Sequence, residues 1–365
     1  MDSRYTRFDP ELARLGELLA KLERIFHELL LFTDGDVDAA LEHLERIGAR
    51  YRWFNAQFTI DDFRRWLERR GIVQPAGGGA GARPTLGARG ERALRNQALE
   101  TIFQGLRPDA KGDHRTRAPG AGGERTSETR PWQFGDPTGA IDFNRSFGNA
   151  FARSGSFQLG EDDLEVFETE HNTSCATVLL LDISHSMILY GEDRITPAKR
   201  VALALCELIK SRYPKDSLHV VLFGDDAREV AVADLPYVGA GPYHTNTREG
   251  LRRAREILRR AKSANKQILM ITDGKPSALT EPDGTIYKNP MGLDRRVVNK
   301  TLEEAGQCRR LGIPITTFML TQDPSLVDFV ERFTAENHGR AFYSSADDIS
   351  SFVLVDYVRN RRRRG

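Results

Sequence analysis

The sequence predicts a doubly wound α/β fold with a mainly parallel sheet, preceded by a helical region and a flexible Gly/Pro/Arg-rich middle, and three observations carry that expectation. Val178-Leu179-Leu180-Leu181 and Gln267-Ile268-Leu269-Met270-Ile271 are apolar runs with little alternation, the pattern of strands buried on both faces. Strand and helix patterns alternate from about Cys175 onward, which implies right-handed crossovers between parallel strands. Both apolar runs stop at a carboxylate, Asp182 and Asp273, at the strand ends where an open α/β sheet carries its ligand-binding loops.

Residues 1–73 read as a helical region. Leu12, Leu15, Leu18, Leu19, Leu22, Ile25, Phe26, Leu29 and Leu30 recur at helical spacing after Asp9-Pro10. A second helix follows Asp34-Gly35-Asp36, with Val37, Ala40, Leu41, Leu44 and Ile47 on one face. Thr59 caps a third, through Phe63, Trp66 and Leu67, and Gly71 stops it. Asp34, Asp36 and Asp38 resemble the start of a calcium loop, but its Gly and closing Glu are misplaced, so they read as a capped helix start. From 74 to 130, two glycine runs (Pro75 to Gly81 and Arg117 to Gly123) predict flexible tethers on either side of one short helix. Neither run is a phosphate loop, because no Gly-x-x-x-x-Gly-Lys-Ser/Thr occurs in the sequence. Residues 131–171 are dense in phenylalanine and predict a lead-in segment that packs on the next domain, with Val166 and Phe167 in an edge strand.

The doubly wound domain is expected over 172–358. After the strand at 178–182, Thr196-Pro197 begins a helix whose buried face is Ala198, Val201, Ala202, Leu205, Leu208 and Ile209. Strands follow at Ser217 to Phe223 and, at the edge, Arg228 to Val232. The helix after Thr247 turns Leu251, Ala254, Ile257 and Leu258 inward and a dense arginine face outward. A long loop through Pro276, Pro282, Gly284 and Pro290 leads to a helix from about Leu293 to Leu311. A strand at Ile313 to Leu320, a helix from Pro324 to Phe333, a short strand at Arg340 to Ser344 and a closing helix complete the alternation. Residues 359–365 are a basic tail, expected to be solvated.

Composition excludes several classes. Among 365 residues, 39% hydrophobic content supports a core, and a net charge of +1 supplies no global field for nucleic acid. Three widely spaced cysteines fit a reducing compartment and no disulfide scaffold. Met1-Asp2-Ser3-Arg4-Tyr5 opens no signal peptide, and no apolar run approaches the roughly 20 residues that span a bilayer. The expectation is a cytoplasmic protein with no membrane contact.

The candidate chemistry lies in three loops. Asp182-Ile183-Ser184-His185-Ser186 ends the first core strand, Thr245-Asn246-Thr247 opens a helix, and Asp273-Gly274 ends a second core strand. Two carboxylates with several hydroxyls form an all-oxygen donor set suited to a hard cation. These three pieces resemble the metal-ion-dependent adhesion site of the von Willebrand factor A, or integrin I-like, domain. The resemblance implies that Asp182, Ser184, Ser186, Thr245 and Asp273 ligate Mg²⁺, with Mn²⁺ or Ca²⁺ as alternatives, and that the metal receives a carboxylate from a partner protein. Asn246, Thr247 and Gly274 then orient the loops around the ligands. His185, between the two serines, reads as a surface histidine.

The chain as a whole resembles bacterial proteins such as the D subunit of magnesium chelatase and others that act with AAA+ ATPases of the MoxR or chelatase-I kind. That implies a non-enzymatic adaptor whose ATPase is a separate polypeptide. The rival is a Mg²⁺-dependent phosphatase or phosphotransferase with Asp182 as nucleophile; such enzymes need an acid two residues on, where this chain has Ser184. A third reading, an RNA-binding ribonucleoprotein component, draws on the arginine-rich helix and tail, but near-neutral charge and the absence of RNA motifs oppose it.

Overall fold

The computed structural model describes residues 10–76, 83–105, 124–133, 136, 138–155, 157–170, 174–191, 193–289, 292–320 and 324–343, with Val353 and Tyr357. The basic end at 359–365, the closing helix apart from those two residues, and most of both glycine runs lie outside the described residues. The chain divides into two units, the first from 1–107 with 176–262 and 266–355, the second from 108–175 with 263–265 and 356–365.

The first unit opens with α1 (Pro10–Phe32), α2 (Val37–Tyr51), α3 (Ile60–Arg69), an antiparallel pair β1 (Val73–Gln74) and β2 (Thr85–Leu86), and α4 (Ala88–Gly105). Local chemistry sets these bounds. Asp36 caps α2 by accepting from the Ala39 amide at 3.0 Å, and Thr59 with Asp62 forms a reciprocal capping box at α3. The three aspartates near the α1–α2 turn are each met by a cation: Asp34 by Lys199, Asp36 by Arg83 and Asp38 by Arg64.

The second unit holds β3 (Glu124–Pro131), α5 (Phe143–Ser154) and β4 (Glu165–Glu170). β3 and β4 pair antiparallel, and Ser146 on α5 accepts from the Glu165 amide at 2.9 Å, which ties the helix to β4. Arg153 holds the buried Asp163 through two hydrogen bonds of 2.8 and 2.6 Å. β4 is thus an edge strand, as the sequence predicts, in a two-stranded sheet with β3. Its hydrogen bonds go to β3, and the first core strand has neighbours on both sides already. Phe143, Phe147, Phe151 and Phe157 are exposed and linked by ring contacts, Phe143 to Phe147, and Phe147 and Phe151 to Phe157. Arg130, Arg145 and Arg153 make hydrogen bonds to Asp136, Thr129 and Asp163.

The remaining elements are β5 (Cys175–Asp182), α6 (Ile195–Arg212), β6 (Ser217–Phe223), β7 (Ala227–Val230), α7 (Thr247–Arg260), β8 (Asn265–Thr272), β9 (Ala278–Thr280), β10 (Ile286–Lys288), α8 (Arg295–Arg310), β11 (Ile315–Met319), α9 (Pro324–Asn337) and β12 (Arg340–Tyr343). The six-stranded sheet runs in the order β12-β11-β8-β5-β6-β7. β12, β11 and β8 pair parallel, as do β5 and β6, and only the edge strand β7 is antiparallel. Gln267 meets Thr177 at one end of the β5–β8 pair and Thr272 meets Asp182 at the other, so these two strands also run the same way. Their carboxyl ends, and Asp182 and Asp273 with them, share one edge of the sheet. β5 is buried at every position, which is what its unbroken apolar pattern requires.

Three expectations need correction. The helix expected to float between flexible tethers is α4, and it packs on α6: Arg95 donates to Glu207 at 3.1 Å and Leu94 and Ala98 are buried. The long loop after Asp273 contains the hairpin β9–β10, turned at Asp283-Gly284 with Gly284 at a φ of 87°. α6 starts a residue before Thr196, whose amide is capped from Asp193 at 3.0 Å.

Candidate functional site

Asp182 is the last residue of β5 and is fully buried. One carboxylate oxygen accepts from the Ser184 amide at 2.9 Å and the other from the Thr272 hydroxyl. The chain then turns through a short 3-10 segment, His185–Gly191, into α6. Along that turn the hydroxyls of Ser184 and Ser186 lie 3.1 Å apart, and Ser186 donates to Asp273 at 2.7 Å. Asp273, at the end of β8, is also buried, and its second oxygen accepts from Arg194 at 2.5 Å.

Thr245 arrives from the α7 side. Its carbonyl accepts from the Ser277 and Ala278 amides and its own amide donates to the Ser277 hydroxyl, so the loop is tied to the start of β9. Asn246 caps α7 by accepting from the Glu249 amide at 3.2 Å. Its amide group reaches the Asp225 carbonyl at 2.8 Å and Thr280 at 2.9 Å, so it fixes the loop without facing the cleft. Thr247 is the buried first residue of α7. His185 is exposed and only its backbone amide, bonded to the Tyr243 carbonyl at 3.0 Å, is part of the frame.

Gly274 measures how closely the parts converge. A Cβ on this residue would lie 2.8 Å from the Thr245 hydroxyl, 3.2 Å from that of Ser186 and 3.4 Å from an Asp182 oxygen. A single methyl would therefore fill the space that residues from three loops enclose. Its amide donates to Thr272 at 3.2 Å, which keeps the backbone against the site. Together with the bonds above, all five candidate ligands are brought to one small cradle at the carboxyl edge of the sheet.

Electrostatically the cradle is unfavourable when left to itself. Burial first, and the Asp273 charge second, push the Asp182 carboxyl up to about 7, against the hydrogen bonds it receives from Ser184 and Thr272. Two carboxylates and three hydroxyls offer hard oxygen donors and no sulfur or imidazole, a set that fits Mg²⁺ better than a transition metal. Among the described residues no group of three or more His, Cys, Asp and Glu is placed to hold a metal.

Family comparison follows the same lines. The family described as "Rv0959-like protein, vWA domain" matches residues 175–358, half of the chain. The chain belongs to that family. A second family, "Rv0959-like protein, third domain", matches residues 124–169, where the sequence predicts the end of a linker and a lead-in segment. The uncharacterized proteins Rv0959 of Mycobacterium tuberculosis and Mb0984 of Mycobacterium bovis are each 33% identical over an alignment of 366 positions, covering 97% of this chain and 52% of theirs. The chain thus spans about half the length of the curated relatives it matches. The PilB minor pilin from Streptococcus sanguinis is 16% identical with a TM-score of 0.41, covering 55% of this chain and 65% of that one. The vWF domain of the pilus tip protein Mfa5 from Porphyromonas gingivalis is 15% identical with a TM-score of 0.39, covering 52% of this chain and 95% of that one. At such scores these two likenesses carry no functional argument. Within the family fold, the central sheet and its flanking helices are those of a von Willebrand factor A domain.

Three contributors escape sequence reasoning. Thr272 is the last residue of β8, directly after an apolar run, and only its bond to Asp182 reveals why a hydroxyl stands there. Asp225 holds the Thr245 loop through the His244 amide and pairs with Lys288 at 2.6 Å. Its burial works against ionisation, but these two bonds hold the carboxyl below the usual range. Arg194 lies in a stretch with no periodic signal, and nothing in the spacing points it at Asp273. No helix among the described residues is long and apolar enough to cross a membrane.

Proposed function

We propose that this domain is a metal-dependent protein-interaction module, non-enzymatic in itself, that captures a carboxylate side chain of a partner protein. The observation that carries the reading is the cradle at Gly274, where Asp182, Ser186 and Thr245 stand within 3.4 Å of one Cβ position. Ser184, Ser186 and Thr245 would offer hydroxyl oxygens to Mg²⁺, and Asp182 and Asp273 would balance its charge. A bound divalent ion supplies an electrophilic centre for an incoming carboxylate. The chain's residues do the rest: Ser186 holds Asp273 in place, Thr272 and the Ser184 amide orient Asp182, and Asn246 keeps Thr245 at the rim. The resemblance to the D subunit of magnesium chelatase makes an AAA+ ATPase the proposed partner class, and these 365 residues carry no Gly-x-x-x-x-Gly-Lys-Ser/Thr loop of their own.

The phosphatase reading is weaker. Asp182 has both oxygens engaged by hydrogen bonds and Ser184 occupies the place of the acid. Titration calorimetry with Mg²⁺ should find one site per chain in wild type and none in Asp182→Asn, with circular dichroism unchanged between them. Hydrolysis of p-nitrophenyl phosphate that needs Mg²⁺ and is lost in Asp182→Asn would restore the enzyme in place of the module.

A further inference from the structure

The cradle contains one charged group that the proposed ligand set does not use. Arg194 is 15% exposed at its side chain, stands one residue before α6, and donates to Asp273 at 2.5 Å. Its backbone amide is bonded to the Met187 carbonyl at 3.0 Å. The helix it leads into is anchored in turn, because Lys199 on the first turns of α6 donates to the Leu31 carbonyl at 2.6 Å and to Asp34 at 2.8 Å. Arg194 is therefore presented to Asp273 from a fixed platform.

That placement changes the charge balance. Among the described groups of the cradle, two carboxylates, both ionised when a cation is bound, are opposed by one guanidinium, which leaves one formal negative charge. A divalent cation converts this into one positive charge, whereas two carboxylates alone would bring it to zero. Of the charged residues next in sequence to Arg194 and Asp273 that the structure describes, Asp193 is exposed and Lys275 half-buried, and they are opposite in sign. Charges in a buried site act with little screening. We infer that Arg194 is a specificity-determining residue of this site: it weakens the hold on the metal and, in exchange, keeps the loaded site positive so that it selects an anionic carboxylate over neutral oxygen ligands. The inference rests on the metal-site reading given above.

The two effects have opposite signs, which separates this role from a merely structural one. Full-length wild type, Arg194→Gln and Arg194→Lys would be titrated with Mn²⁺, followed by electron paramagnetic resonance. Acetate would then be added to the loaded proteins while the water-proton relaxation of the bound ion is recorded. A single charge at contact distance shifts a neighbouring ionisation by about 1–3 pKa units, so effects on the order of tenfold or more are expected. Arg194→Gln should bind Mn²⁺ about tenfold or more tighter and acetate about tenfold or more weaker. Arg194→Lys, which keeps the charge, should stay close to wild type in both.

Arg194→Gln with Mn²⁺ affinity unchanged or weakened, while wild type binds, overturns this inference and leaves the metal site standing. Tighter Mn²⁺ with undiminished acetate binding also overturns it. Mn²⁺ that binds none of the three proteins overturns the metal site itself. If Arg194→Gln does not fold, the outcome is read from Arg194→Lys, where a loss of Mn²⁺ or acetate binding overturns the charge argument and retention of both supports it.

Discussion

Helices α6 and α7 both begin at the candidate site, one after Arg194 and the other after Asn246, yet they are buried on different plans. α7 is one-sided. Gly250, Leu251, Ala254 and Leu258 are buried among residues such as Ala176, Val178 and Leu180 of β5, while Arg259 and Arg260 are exposed. α6 is buried nearly all round, including Lys199, Leu203, Ala204 and Cys206 as well as the expected inner face. The cause is the N-terminal layer. Glu28 of α1 pairs with Arg200, Asp34 after α1 with Lys199, and Arg95 of α4 with Glu207, all on the outer face of α6. Its outer apolar residues, Leu203, Ala204 and Cys206, must be covered as well as the inner face. The layer therefore clamps the helix that follows Ser184 and Ser186, whereas the helix that follows Thr245 is held from its own side of the sheet alone.

The largest expected effect lies on the covered face. Leu203 is 1% exposed. Leu203→Ala should cost about 2–5 kcal/mol, the range for a buried leucine. An exposed helix position would lose less than about 0.5 kcal/mol. Urea unfolding would decide; a loss in the exposed range would mean that the layer does not cover α6 in solution.

A smaller effect is expected at the ion pair. Lys199 is fully buried, and burial lowers its pKa while the Asp34 bond raises it. Asp34→Ala leaves that ammonium unpaired and should cost about 1–3 kcal/mol, less than a fully buried pair because Asp34 is half exposed. Lys199→Met should cost less than about 1 kcal/mol, since it removes the buried charge. The pH dependence follows from the sign of the shift. A lysine whose folded pKa lies below its unfolded value of 10.5 adds stability as pH rises between the two. In Asp34→Ala the folded pKa falls further, so its deficit should be largest near neutrality and shrink toward pH 10. A deficit that stays constant over that range would refute the pair.

The smallest effect belongs to α7. Arg253 is 37% exposed and its contact with Glu256 spans 3.9 Å. Arg253→Ala should shift stability by less than about 0.5 kcal/mol. A larger loss in thermal unfolding would show that α7 is covered as α6 is, and the contrast between the two helices would fail.

Much of this protein was determined by local sequence. Unbroken apolar runs specified β5 and β8 as strands buried on both faces, and the carboxylates that end them share an edge because parallel strands expose the same end. Caps at Asp36 and Thr59 marked the helix starts, since an orphan amide needs a nearby oxygen whatever lies beyond it. Asp283-Gly284 carried a turn signal that the surrounding prolines obscured. What only tertiary structure decided involves charge and long-range contact. The apolar outer positions Leu203, Ala204 and Cys206 show that α6 is covered, but a pattern cannot say by what, and α4 comes from about a hundred residues away. Arg194 meeting Asp273 and Thr272 meeting Asp182 have no period or motif to announce them. A charged or hydroxyl side chain is equally at home in water, and only the packed sheet edge fixes which partner it takes.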